Sequence, residues 1–238
     1  MWDDLLRRGW PALSEVEIDG WVARQSGGVT QRANSVLPLA APADPQAALA
    51  EVERHYAAHG LPAIFQLGPA ACPPDLDDLL AARGYAYGSP TSVEVAAVPA
   101  LLAGLPPGHV VIEAEPSQAW LDLWWAVDGR GDAAARAVAR RILTGGPARY
   151  GSVVDADGVA AVARLALAGE WGGLYCMAVR PSARRRGLGS VLLRGLLEGA
   201  GVRRCWLQVR EDNPAARAFY ARAGFRPATR YHYRTRPA

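Results

Sequence analysis

Apolar positions along the chain alternate between two periods, and each change of period marks an element. EVEIDGWVARQSG (15–27) mixes β-branched, aromatic and polar residues as a strand does, and TQRANSVLPL follows a Gly-Gly-Val turn, which predicts a hairpin. From Gln46 to His59 the apolar residues recur at helical spacing and stop at Gly60. AIFQL then predicts a short strand, LDDLLAARGY a helix stopped by Gly84, and SPTSVEVAAV another strand. PALLAGLPPG (99–108) carries three prolines and two glycines and predicts a linker.

After residue 108 the alternation restarts. HVVIEAE predicts a strand, SQAWLDLWWAV and DAAARAVARRIL two helices, and residues 148–169 a hairpin turning at DADG. GLYCMAV is a strand, SVLLRGLLEGAG a helix, CWLQV a strand, NPAARAFYARAGF a helix and ATRYHYRTR a last strand. Two stretches match in order: AIFQL, LDDLLAARGY and a strand parallel CWLQV, ARAFYARAGF and a strand. The fold class expected is therefore α/β (α+β), a mixed central sheet flanked by helices, in two pseudo-repeated units.

Composition narrows the function. A net charge of +3 over 238 residues gives no broad field for nucleic acid or membrane binding, so any anion site is local. Every basic residue other than histidine is Arg, which excludes mechanisms that use a lysine of this chain. Cys72, Cys176 and Cys205 have no metal-ligand spacing, and His55 and His59 sit one helical turn apart without a third ligand, so no metal is expected. The stretch MWDDLLRRGW opens with acids where a signal peptide would carry cations, and no apolar run approaches the ~18 residues of a membrane span, so a cytoplasmic location is expected.

RPSARRRGLGS (180–190) carries three consecutive arginines followed by two glycines one residue apart. A dinucleotide fingerprint fails because Leu192 stands where a third glycine is needed, and a Walker loop fails for want of lysine. The run lies between an apolar strand and a helix start, with glycines that let backbone N–H groups turn inward. That arrangement suits a pyrophosphate. Downstream, Asn213 is a good helix N-cap, Pro214 suits the first helical position, and Gly224 suits a left-handed C-cap, which leaves Tyr220 on a face with small neighbours.

VRPSARRRGLG (179–189) resembles the acetyl-CoA motif of the GNAT N-acetyltransferase superfamily, and LQVREDNPAARAFYARAGF (207–225) is similar to the strand and helix that follow it there. The resemblance covers roughly residue 108 to the end. It implies a catalytic domain over 105–238 that moves an acetyl group from acetyl-CoA to a primary amine by direct attack, with Tyr220 as general acid. It also implies cofactor contacts from Met177, Ala178, Val179, Arg184, Arg185, Arg186, Gly187, Leu188, Gly189, Ser190, Asn213 and Tyr220. Some relatives carry Glu where this chain has Gln208; Glu170, just before the motif strand, is the substitute candidate for the base. A non-catalytic CoA-binding or regulatory module is the alternative.

Cys176 is expected in the core by strand alternation, opposite Met177. Trp120 and Trp124 either fill the core or wall a pocket for an acceptor with an apolar part. Residues 1–104 are expected to form a degenerate copy lacking the cofactor loop: LPLAAPADPQ offers three prolines without N–H groups, and Asp44 repels phosphate. This tandem plan resembles that of mycothiol synthase. The amine acceptor is unidentified, and both a monomer with tandem halves and a homodimer remain open.

Overall fold

The computed structural model describes residues 1–236. In chain order the elements are α1 (Trp2–Gly9), β1 (Ser14–Ile18), β2 (Trp21–Gln25), β3 (Val36–Pro38), α2 (Pro45–Ala57), β4 (Ala63–Leu67), α3 (Leu76–Ala82) and β5 (Ala86–Ala97). There follow α4 (Val98–Gly104), β6 (Val111–Glu113), α5 (Gln118–Asp128), α6 (Ala133–Leu143), β7 (Ala148–Asp155) and β8 (Gly158–Ala168). The chain continues through β9 (Trp171–Val179), α7 (Leu188–Leu197), β10 (Arg204–Arg210), α8 (Pro214–Ala223) and β11 (Arg226–Arg236).

Contacts group these elements into two compact units that interleave along the chain. One comprises Met1–Trp10, Val93–Val209 and Asn213–Ala228; the other comprises Pro11–Ser92, Arg210–Asp212 and the chain from Thr229.

In the first unit the strands run β10-β9-β8-β7-β6, antiparallel except for the parallel β9–β10 pair. Ala163 and Leu165 of β8 share a buried cluster with Leu192, Leu193 and Leu196 of α7. Because strand residues alternate between faces, Arg164 between them points to the opposite face, where α1 and α5 pack on β8 and β9. Helices thus cover both faces of a mixed sheet.

The second unit repeats the strand order, with α2 and α3 sharing one buried cluster against β2, β3 and β4. Strands β1, β2, β3, β4 and β11 lie in order, with β3 and β4 parallel. Its helix α2 begins at Pro45 because the Asp44 carboxylate accepts the N–H groups of Gln46 and Ala47. That carboxylate satisfies the first free N–H groups of the helix.

Three elements differ from the sequence reading. The stretch 15–27 is two strands, turning at Asp19-Gly20, both with left-handed φ, and the antiparallel pair expected across Gly-Gly-Val forms between β2 and β3. The proline-rich stretch expected to be a linker contains α4: Pro99 fits its first turn, and Val98, Leu101 and Leu105 bury one stripe in the core. The N-terminal decamer, given no element, is α1, with acids in its first turn and arginines in its last, as the helix dipole favours.

Candidate active site

The loop between β9 and α7 turns through left-handed backbone at Arg185 (φ 61°) and Gly187 (φ 78°). Gly187 caps α7, and Ser190 and Val191 are the first residues to return N–H bonds to it. The N–H groups of Arg185 to Gly189 donate to no acceptor among the described residues. A run of free donors ahead of a helix start is what an anionic diphosphate needs. They border a cavity of about 470 Å³ lined by Met177, Val179, Arg184, Arg185, Gly187, Leu188, Gly189 and Ser190, with Phe219, Arg222 and Leu105 on other sides. A Cβ at Gly189 would come within 3.2 Å of Phe219 and 3.5 Å of the Met177 sulfur, so the loop packs closely on β9 and α8 here.

Beside the cavity the sheet opens. Strands β9 and β10 pair only from Trp171/Arg204 to Leu174/Leu207, yet both continue, β9 to Val179 and β10 to Arg210. The cause lies on the other edge of β9. There Arg164 pairs with Tyr175 and Val162 with Ala178, so Cys176 and Met177 form a bulge, with Cys176 at φ 55°. A bulge increases local twist and turns the strand away from one neighbour. The freed backbone polar groups of β9 line a gap suited to an amide-bearing chain.

The predicted site residues divide accordingly. Eight of them line the cavity, as above. Ala178 is buried, and Arg186 bonds Asp155 at 3.1 Å, a carboxylate that Arg180 also holds at 2.8 Å. The Arg180 hydrogen bond is the main cause that keeps the Asp155 carboxyl below its usual range. Asn213 Oδ1 accepts the Ala216 N–H and so caps α8. Tyr220 is half-buried between Phe219 and Phe225, with ring centroids 5.1 and 5.8 Å away. Its hydroxyl makes no hydrogen bond among the described residues, and burial, then Cys205 and Glu94, raises its pKa.

Glu170 is not brought to the gap. It lies in the exposed turn before β9, 3.3 Å from Arg203, and six strand residues, about 20 Å, separate it from the bulge. Cys176 is also displaced from its expected place: the bulge leaves it half-exposed rather than in the core.

Sequence reasoning missed two groups. Glu94 on β5 is 4% exposed with Oε2 unpartnered, and burial raises its pKa. The hydrogen bonds Val98 N–H to Arg203 O and Glu211 N–H to Pro90 O set β5 antiparallel to β10; four residues inward from either bond, Glu94 meets Leu207. The second group is an aromatic cluster under α1 and α5. Trp10 stacks on Tyr175, whose hydroxyl accepts from Gln208 Nε2 at 3.0 Å and Trp206 Nε1 at 3.3 Å. Trp120 and Trp124, which the sequence did single out as core or pocket wall, are both buried beside this cluster, and Trp120 Nε1 donates to the Gly151 carbonyl. Among the described residues no His, Cys, Asp and Glu cluster could hold a metal ion, and no helix is long and apolar enough to cross a membrane.

Residues 6–234 match the protein family described as "Probable histone acetyltransferase Rv0428c C-terminal". The chain is 29% identical over 237 residues to "Uncharacterized N-acetyltransferase YobR" of Bacillus subtilis, covering 97% of this chain and 95% of that one. In fold it is similar to a GCN5-related N-acetyltransferase from Kribbella flavida, with TM-score 0.70 at 17% identity over 99% of this chain and 95% of the other. A tandem GNAT protein from the clavulanic acid biosynthesis pathway aligns with TM-score 0.65 at 19% identity over 80% of this chain and 69% of the other. With a free-donor loop, a bulged strand and a widened strand gap already in place, these matches make the chain a member of the Rv0428c C-terminal acetyltransferase family within the GNAT N-acetyltransferase superfamily.

Proposed function

We propose that the protein transfers the acetyl group of acetyl-CoA to a primary amine by direct attack in a ternary complex. The observation that carries this reading is the gap between β9 and β10 beside a loop whose N–H groups are free. Acetyl-CoA supplies the activated thioester. The N–H groups of Arg185 to Gly189 bind its diphosphate, with Arg184 and Arg185 adding charge at the rim. Met177 and Val179 meet the pantetheine arm along the widened edge of β9. A backbone N–H at the bulge polarises the carbonyl as charge develops on its oxygen.

Tyr220 delivers its proton to the departing sulfur and takes back the proton that the attacking amine gives up, so the phenol is regenerated and the products are amide and thiol. A thiol of pKa ~8.5 is a tolerable leaving group, so the phenol need act only late. The second acetyltransferase-like copy is not residues 1–104 as the sequence suggested but the unit of Pro11–Ser92, Arg210–Asp212 and the chain from Thr229, because α1 and the stretch from Val93 pack with the other unit; its helix α2 starts on the Asp44 carboxylate instead of a free-donor loop.

The test is thiol release from acetyl-CoA with the full chain across a panel of amines, paired with calorimetry of CoA binding. Amine-dependent release supports the transferase. Tight CoA binding with no amine-dependent release selects the non-catalytic module, and absence of CoA binding refutes both.

A further inference from the structure

Two arginines lie at equivalent places in the two units. Arg24 is on β2 and Arg164 on β8, in each case the strand antiparallel to the first member of the parallel pair. Both are buried, at 1% and 0% exposure. Their surroundings differ in a way packing alone does not require.

In the copy without a cofactor loop, the Arg24 fork is filled by neutral acceptors. Nε donates to the Ser35 carbonyl at 2.8 Å, and Nη2 donates to Ser35 Oγ at 2.6 Å and Gln66 Oε1 at 2.9 Å. None of its buried nitrogens is left without a partner. Gln66 holds the position in AIFQL that Gln208 holds in CWLQV.

In the other copy Gln208 bonds Tyr175 instead, and no carboxylate pairs with Arg164 among the described residues. Its Nη1 donates to the Gly9 carbonyl at 2.7 Å, its Nε reaches the Tyr150 hydroxyl at 3.4 Å, and its guanidinium lies over the Tyr150 and Tyr175 rings. Nη2 is buried with no partner. A buried guanidinium without a counter-charge is costly, and an orphaned donor adds to the cost. A neutral amide would serve the Gly9 carbonyl and the Tyr150 hydroxyl as well. What the arginine adds is charge and one unused donor. A second buried donor on the helix packed over β8 and β9, Trp124 Nε1, is likewise unpartnered.

Arg164 also stands at the reaction gap. Its β8 rung pairs with Tyr175, the first residue of β9 beyond the last rung shared with β10. It faces α1 and α5, opposite the Met177 and Val179 cluster that borders the cofactor cavity.

We propose that Arg164 is the receptor for a carboxylate on the acceptor, so that the substrate is an amine carrying a carboxylate and an apolar body, seated among Trp10, Tyr150 and Tyr175. The carboxylate takes Nη2 and competes with the Gly9 carbonyl at Nη1, so the end of α1 moves when the acceptor enters. This rests on the transferase reading above and narrows its substrate.

The test uses the full chain with acetyl-CoA and three probes matched in shape: phenylalanine, phenylalaninamide and phenethylamine. Wild-type protein is expected to turn over phenylalanine with kcat/KM at least about tenfold above the other two. Arg164→Gln is expected to bring the three toward equal values, mainly through KM for phenylalanine. Equal turnover of the three by wild type, or preference for a probe without the carboxylate, overturns the proposal. If no amine releases thiol, the transferase reading fails separately. The carboxylate site is then read by thermal shift of the CoA-loaded wild type: a larger shift with phenylalanine than with phenylalaninamide supports it, and equal shifts sink it. The wild-type comparison does not depend on whether Arg164→Gln folds.

Discussion

Tyr220→Phe separates chemistry from stability more cleanly than any other change at the site. The hydroxyl has no hydrogen-bond partner among the described residues, so its removal orphans no other group. It is also absent from the fully sealed, unpartnered polar atoms, so its removal relieves only a partial desolvation cost. The ring contacts with Phe219 and Phe225 persist in the variant. Stability should therefore change by no more than about 0.5 kcal/mol, a Tm shift within about 2 °C for a chain of this size. Loss of a positioned general acid typically costs 10²- to 10⁴-fold, so kcat should fall at least about 100-fold, or about 2.7 kcal/mol of barrier. CoA affinity should stay level, since the diphosphate and pantetheine contacts lie elsewhere. Because burial raises the phenol, its ionisation should not cut the wild-type rate below about pH 10. Thiol-release kinetics, calorimetry and a melting curve on the same preparation decide. An unchanged kcat, or a fall in kcat that accompanies a collapse in Tm, refutes the reasoning.

Glu94→Gln should stabilise the protein above neutrality. Burial raises the folded pKa of Glu94, so the native state holds its proton more tightly than the unfolded chain; stability falls as pH rises from the unfolded value through the folded one. The gain in Tm over wild type should be largest near pH 8 and vanish toward pH 4, and a gain independent of pH would contradict it. Gly187→Ala places a Cβ in open space but in left-handed backbone, so it should cost about 1 kcal/mol of stability by strain and weaken CoA up to about tenfold by calorimetry. Unaltered binding would show that the loop does not need this turn. Asp44→Ala removes the cap of α2 and should cost about 1 kcal/mol in denaturant midpoint while CoA affinity is unchanged.

The glycine turn ahead of α7 was legible because its physics is local. Glycines that permit a turn, a helix start behind them and an apolar strand before them all lie within twenty residues of chain. The start and stop of α8 were legible for the same reason, since Asn213, Pro214 and Gly224 act on their own neighbours. The α4 helix was hidden because its prolines read as breakers; only the core that receives Val98, Leu101 and Leu105 makes a helix the better outcome.

What the sequence alone determined is most of the run of elements and the glycine turn that starts α7, because periodicity, caps and turns are set by residues a few positions apart. Tertiary structure decided the rest of the site. The register shift between β8 and β9 creates the bulge that opens the gap, and pairing with distant strands sets that register. Glu170 is adjacent to the motif strand in sequence yet lies at its far end, whereas Glu94 and Arg164 gain their character from burial beneath elements remote in the chain. A charge is ordinary or consequential according to what surrounds it, and those surroundings exist only after folding.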